Sequence, residues 1–255
     1  MTESSPSPKC HQLLWTGGWD STFRLLDILH STDHVIQPYY LYSARRKSVN
    51  MELLVITNVI RRISQNPDLK GRVINPIIRL AHLYRWAGTP YDAALISIRR
   101  QIHLGPQYRY LAVYRDEEKM ENLELGLVKG QGAAYNYLKN WVIPAPDGSG
   151  DYILNDEAPD DVKVLFGGYR FPLMFTSKVE MTEIARQKGF LDILEMAWFC
   201  HRPIDKQACG ICPPCRVTIQ SGMGHRVGPA GLMRYEALKN SDTLGTANEA
   251  AADSE

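Results

Sequence analysis

Nowhere in the 255-residue chain is there a run of about 18 apolar residues, so the sequence supplies no transmembrane helix. An excess of charge is missing too. Its 29 basic and 28 acidic residues leave a net charge of +1, too little to build a strong field for nucleic acid or a membrane surface. Met1 to Cys10 is Ser/Pro-rich and lacks the apolar centre of a signal peptide. No internal repeat occurs. These absences point to a cytoplasmic protein with no membrane and no direct nucleic-acid partner. Cysteine is also scarce, yet four of the five (Cys200, Cys209, Cys212 and Cys215) fall within 16 residues, and only Cys10 stands apart. In a reducing cytosol such clustering suits a metal better than disulfides.

With 44% hydrophobic and 22% charged residues, the composition is that of an ordinary globular protein with enough apolar mass for one core. Residues 1–10 and 240–255 are small and polar and are expected to be unstructured. Residues 11–195 form the expected nucleotide-binding domain and 196–239 a metal-binding C-terminal region. Strand-like and helix-like segments alternate, which predicts an α/β fold with a doubly wound parallel sheet. Strands are predicted at Gln12–Trp15, Val35–Ser43, Arg72–Ile78, Tyr108–Tyr114, Tyr152–Leu154 and Val162–Phe166. Pro38 marks the first half of the second as an edge or irregular piece. Helices are predicted at Asp20–His30, Met51–Ser64, Ala93–His103 and Lys178–Lys188, the last stopped by Gly189. Asp116–Lys139 is helix-favouring but charged.

Between the first strand and the first helix lies Trp15-Thr16-Gly17-Gly18-Trp19-Asp20-Ser21-Thr22. Adjacent glycines let the backbone bend tightly and bring bare amides against an anion. Asp20 and Ser21 would then cap the helix, with its positive dipole end facing the bend. A phosphate is the natural guest of such a site. The stretch is neither a Walker loop nor the Gly-x-Gly-x-x-Gly of dinucleotide folds. A structural Gly-Gly turn capped by Asp is the competing account.

The cysteines follow an 8-2-2 spacing: Cys200, eight residues, then Cys209-Gly210-Ile211-Cys212-Pro213-Pro214-Cys215. Cysteines two residues apart can bend round one tetrahedral Zn²⁺, with Gly210 giving slack and the prolines stiffening the second turn. Four thiolates leave no open coordination position, so such an ion would be structural. Iron–sulfur ligation and a redox Cys-x-x-Cys pair compete with this account. His201 would be a bystander.

The glycine bend resembles the Ser-Gly-Gly-x-Asp-Ser loop of the PP-loop ATP pyrophosphatases, with Thr16 at the first serine. That resemblance implies a loop that grips the pyrophosphate of ATP while a substrate attacks the α-phosphate. Bend and cysteines together, in this order and spacing, are similar to the 7-cyano-7-deazaguanine synthase family, which makes the nitrile precursor of queuosine-type bases. A third stretch also resembles that family: Phe171-Pro172-Leu173-Met174 leading into Ser177-Lys178-Val179-Glu180, with Ser177 where the family has Asn. The likeness covers Leu13–His30 and Gly168–Cys215. Between them it is thin. Neither Pro90–Gln101 nor Tyr114–Leu127 reproduces the family's Pro-x-Arg-Asn or Asp-Cys-Arg segments. Arg216 directly follows the last cysteine, where the family has its Arg three residues on.

The resemblance implies ATP, Mg²⁺ and one structural Zn²⁺. Amides of Gly17 and Gly18 with the Ser21 and Thr22 hydroxyls would face pyrophosphate, Asp20 would hold Mg²⁺, and Lys178 would set a cation near the phosphates. It further implies adenylation of a 7-deazaguanine-type carboxylate, then amidation by ammonia, in a homodimer. The departures in the middle of the chain favour a relative that stops at the amide, or couples the acid to another amine or a protein terminus, as in anti-phage defence. A non-catalytic zinc-binding interaction module with a relic loop is the alternative from another class. Arg45, Arg46 and Lys47 would meet an anion or form a solvated turn. Tyr84, Trp86 and Tyr91 would pack, or line a planar substrate's pocket.

Overall fold

The computed structural model describes residues 9–70 and 72–252, with 241–252 described by backbone alone. The expectation for 1–8 and 253–255 thus lies outside the described residues. The chain divides into two compact units: residues up to 43 with 55–197, and 44–54 with 198 onward.

In the first unit, five parallel strands run in the order β3-β2-β1-β4-β7, comprising β1 (Cys10–Leu14), β2 (Val35–Tyr42), β3 (Ile77–Leu80), β4 (Leu123–Glu124) and β7 (Tyr169–Arg170). The chain starts in the middle, winds outward through helix α2 (Val49–Ser64) to β3, then returns to the other side of β1. The order therefore reverses between β1 and β4, the switch point at which doubly wound sheets open a crevice beyond their strand C-termini. Neighbours Leu13 and Leu14 point to opposite faces and are both buried, so both faces are covered.

On one face α1 (Trp19–Ser31) packs with α7 (Lys178–Gln187) and α8 (Leu191–Leu194), with the rings of Phe23 and Phe190 6.0 Å apart. A second layer joins α3 (Pro90–Arg99), α4 (Gln107–Glu117) and α6 (Asp160–Phe166). Between α4 and α6 lie α5 (Gly132–Leu138) and a hairpin of β5 (Val142–Pro144) with β6 (Tyr152–Leu154). Pro38 sits inside β2, an interior strand. Ile36 bonds Arg72 and Ile74 on the β3 side, and Pro38, two residues on, turns its missing N–H to that side. β3 resumes pairing only at Tyr39, so the ladder breaks where the donor is lacking.

Three expected elements differ. Tyr108–Tyr114 belongs to helix α4, because Tyr108, Leu111, Ala112 and Arg115 recur at helical spacing against the core. Val162–Phe166 belongs to helix α6, which opens on Asp160 and Asp161, acids that suit a helix N-terminus. The charged stretch Asp116–Lys139 hides the interior strand β4 and keeps only α5 as a later helix. In the second unit, α9 (Pro213–Thr218) follows the cysteines and α10 (Pro229–Ala252) runs through most of the expected tail. Residues 44–54, expected in the first domain, group with this unit. Here the basic turn is partly neutralised, since Arg46 pairs with Glu52 at 2.9 Å.

Glu124 is 1% exposed yet fully engaged. It accepts from Arg24 Nε at 2.7 Å and from His11 Nδ1 at 2.6 Å, while Arg24 also reaches Asp151 at 3.2 Å. Burial alone would raise the Glu124 carboxyl, but the His11 and Arg24 hydrogen bonds outweigh it and hold it below the usual range. Glu124→Gln is therefore expected to cost about 3 kcal/mol, by leaving Arg24 under-compensated in the interior. Because the folded-state value is depressed, the stabilisation is present above the ordinary 4.5 and is lost as pH falls below it. Urea unfolding of both proteins from pH ~7 to ~3 measures it, the variant showing the shallower acid loss.

Candidate functional site

The sheet ends β1 at Leu14, and the chain turns through Thr16, Gly17 and Gly18 before α1 opens at Trp19. Gly17 has φ +71°, a region that side chains enter at a cost, which is why glycine stands there. Gly18, not Asp20 or Ser21, is the N-cap, and it caps with no side-chain bond. Asp20 and Ser21 lie within the first turn instead. The α1 ladder begins with Thr22 N–H donating to Gly18 O at 2.9 Å, so the amides of Asp20 and Ser21 precede it. Dipole and amides converge on the bend, next to the switch point.

A cleft of about 170 Å³ opens there, lined by Thr16, Gly18, Asp20 and Ser21 at its polar end and by Tyr39, Leu41, Leu111 and Leu125 at its apolar end. This is less than the ~300–1,000 Å³ of whole small-ligand sites, so the enclosed part suits one charged end of a ligand. Gly126, after β4, lines it as well, and a Cβ there would make ordinary van der Waals contact with the Ser21 amide nitrogen (3.9 Å) and Asp20 Cβ (3.8 Å).

Asp20 Oδ1 is buried without a hydrogen-bond partner, and Lys178 Nζ stands 3.6 Å from it, too far for a hydrogen bond. Burial pushes the Asp20 carboxyl up and Lys178 only partly offsets that. An unsatisfied, partly desolvated carboxylate oxygen beside bare amides is a fit for a divalent cation with phosphate. Lys178 is the first residue of α7. Ser177 caps that helix, its Oγ accepting from Glu180 N–H at 3.2 Å while Glu180 Oε2 accepts from Ser177 N–H at 2.7 Å. Glu180 is thus a capping residue, and the cap aims Lys178 across at Asp20.

Not every expected ligand faces the cleft. Thr22 is fully buried, its Oγ1 accepting from Trp15 Nε1 at 3.0 Å, so both side chains brace the bend from beneath. Trp19 is buried as well, which leaves Trp15, Trp19 and Thr22 only their backbone to offer. The Ser21 hydroxyl donates weakly to Gly18 O at 3.4 Å and lines the cleft.

In the second unit the four Sγ atoms of Cys200, Cys209, Cys212 and Cys215 lie within 4.8 Å of one another, all buried and none in a disulfide. Cys209 N–H points at Cys200 Sγ (3.2 Å) and Cys212 N–H at Cys209 Sγ (3.3 Å), the amide bonds that steady thiolates. These residues form a candidate metal centre. His201 is outside that group. Sequence reasoning missed its support from α10: Arg234 Nε donates to Cys209 O at 2.8 Å, and Gly231 presses on Gly210. A Cβ on Gly210 (φ +82°) would fall 1.9 Å from Gly231 O. Gly210→Ala is expected to cost about 3 kcal/mol and to release bound metal, measured by unfolding and metal analysis.

No protein-family model matches the chain, and no curated protein matches it. Among solved structures the chain is similar to the U34-tRNA thiolase NcsA from Methanococcus maripaludis, a protein solved with its 4Fe–4S cluster. The identity is 14% over 92% of this chain and 73% of that one, with a TM-score of 0.37. What this chain does must come from its own residues. Two charged groups bear on the site without having been legible beforehand, Arg24 and Glu124. Arg24 stands one turn beyond Asp20 on α1, and Glu124 lies two residues before Gly126, so their ion pair ties helix to strand beneath the bend.

Proposed function

We propose that the chain is a PP-loop-type ATP pyrophosphatase that adenylates a 7-deazaguanine-type carboxylic acid and hands the acyl group to ammonia or another amine. The observation that carries this reading is Asp20 Oδ1, buried without a hydrogen-bond partner beside uncapped helix amides at the switch point. A structural Gly-Gly turn capped by Asp would give that oxygen a backbone donor; here it accepts no hydrogen bond and meets only the Lys178 ammonium at 3.6 Å.

In the reaction, a carboxylate oxygen of the acid attacks the α-phosphorus and the bond to the bridging oxygen of pyrophosphate breaks. The amine nitrogen then attacks the acyl carbon, AMP leaves, and the nitrogen gives up a proton. Mg²⁺ held by Asp20 would neutralise charge on the departing phosphates. The amides of Gly18, Asp20 and Ser21 would take up negative charge on pyrophosphate with little reorganisation. Lys178, aimed by its capped helix, adds a point charge beside them.

The four cysteines support one structural Zn²⁺. With a Zn–S distance of ~2.3 Å, a tetrahedron has sulfur–sulfur edges of about 3.8 Å. Three of the six pairs here stand 3.4, 3.8 and 3.9 Å apart, and all four sulfurs lie within 4.8 Å of one another. A cubane cluster gives each thiolate its own iron and spreads the sulfurs more widely.

Full synthase activity would then let the amide oxygen attack a second ATP with loss of pyrophosphate. AMP and the two amide protons would leave to give the nitrile. A second reading stops at the amide or couples the acid to a protein end. It is favoured by residues 79–161, where the family's base-pocket segments do not appear. Supplying the deazaguanine acid, ammonium and ATP, followed by mass spectrometry, separates the two. The nitrile supports full synthase activity and the amide the second reading. Neither product, with no AMP formed, rejects both.

A further inference from the structure

We propose that the segment leaving β3 carries the subsite that holds the acceptor of the reaction, an aromatic ring bearing a carboxylate or phosphate group, with Trp86 as the stacking platform and Arg85 as the anion contact. The assignment to the acceptor rests on the proposed function; the ring-and-anion chemistry rests on the site itself.

An open surface pocket of about 440 Å³ lies here, lined by His82, Tyr84, Arg85, Trp86 and Ala87. That volume is within the ~300–1,000 Å³ of small-ligand sites, unlike the cleft at the glycine bend. It belongs to the same sheet, just past the C-terminal end of β3, the edge at which open parallel sheets place ligands. Trp86 is half-buried and built in rather than loosely exposed. The Arg109 guanidinium stacks 5.1 Å from its ring, Asp92 fixes Arg109 at 2.5 Å, and the Tyr110 ring lies 5.8 Å away. The His82 ring stands edge-on to the same indole at 6.3 Å, and these contacts fix its orientation at the pocket. Tyr84 closes the floor: it is 5% exposed, its ring is edge-on to Tyr114 at 5.0 Å, and its hydroxyl donates to Glu118 at 3.0 Å. Arg85 and His82 are exposed at the rim, and Arg85 makes no hydrogen bond or ion pair among the described residues.

Local charge adds to this. Residues 72–118 hold seven arginines and two histidines against four carboxylates, Asp92, Asp116, Glu117 and Glu118. Most of those arginines are engaged: Arg72 and Arg99 on backbone carbonyls, Arg109 on Asp92, Arg115 on Asp116. Arg85 is the one at the pocket that is left without a partner. Trp86 and Arg85 also fall in the part of the sequence where the family likeness is thin, as a substrate pocket of its own would require.

Isothermal titration of the full chain with indole-3-carboxylate and with guanosine monophosphate tests this, with indole and guanosine as uncharged counterparts. The two charged probes distinguish an aryl acid from a nucleotide as the source of the same chemistry. At least one is expected to bind about tenfold tighter than its neutral counterpart. Trp86→Ala should weaken it about tenfold, and Trp86→Phe should restore most of the affinity. Arg85→Ala, a change on an exposed side chain that leaves the fold alone, should make charged and neutral probes equal. Equal binding of charged and neutral probes by the native chain, no binding of either charged probe, or full affinity in both Trp86→Ala and Arg85→Ala overturns the proposal. ATP titrated into the same native protein reads the glycine bend separately. Ring binding without ATP binding rejects the proposed function and keeps the subsite, and the reverse rejects the subsite alone.

Discussion

Asp20→Asn is expected to lower AMP formation by about 10²–10³-fold while leaving the protein as stable as before, or more so. The two halves of this expectation have one cause. Asp20 is held at the bend with an oxygen that accepts no hydrogen bond and meets only the Lys178 ammonium at 3.6 Å, and burial raises its carboxyl above the ordinary value. A folded-state value that is raised contributes stability below the ordinary 3.8 and loses it as pH climbs through the folded value. At neutral pH the ionised Asp20 therefore works against folding, and an amide of the same shape removes that cost. For the same reason the acid limb of the native chain's kcat/KM profile for AMP release should lie above 3.8. Steady-state AMP release and thermal unfolding, measured on one preparation, check both. A variant that lost activity because it melted would mark Asp20 as a structural cap instead.

Cys212→Ser is expected to release the bound metal and to unfold the region from 198 to 240, the largest stability effect foreseen for this chain. Structural zinc sites hold about 10–16 kcal/mol of apparent binding energy at neutral pH, and that energy is folding energy when no preformed site exists without the ion. The surrounding core is small: the four cysteines with Ala208 and Val227, edged by Trp198, Phe199, Ile219 and Leu232. So few apolar side chains leave little to hold the knuckle once the ion is gone. Metal analysis of the native chain should give one zinc per chain, and limited proteolysis of the variant should cut within that region. Iron with acid-labile sulfide would replace the zinc assignment. A variant that kept its metal and its resistance to protease would remove the metal from the account.

The legible parts of this chain were those where covalent geometry restricts the choice. Two adjacent glycines between a strand and a helix fix a bend almost regardless of context. Cysteines at 8-2-2 spacing fix a knuckle in the same way, and each sits where it was expected. What escaped was decided by distant partners. Glu124 reads as a surface residue in a charged stretch, and becomes an interior strand residue only because His11 and Arg24, 113 and 100 residues away, satisfy it. Tyr108 to Tyr114 has the aromatic content of a strand, yet its core contacts recur at helical spacing. For Val162, Leu165 and Phe166 the helical spacing is present, but the apolar run with β-branched Val162 and Val164 reads as a strand. Thr22 shows the limit at side-chain level: a hydroxyl in a phosphate-type loop turns inward because the Trp15 indole needs an acceptor.

Phosphorus NMR of the products formed from ATP, with the acid and ammonium present, tests the central claim most directly. Signals of AMP and pyrophosphate rising together, and disappearing in Asp20→Asn, are the expected result. ADP with inorganic phosphate, or ATP left whole across a range of carboxylic acids, would contradict a bend that grips the two terminal phosphates while the bond behind them breaks.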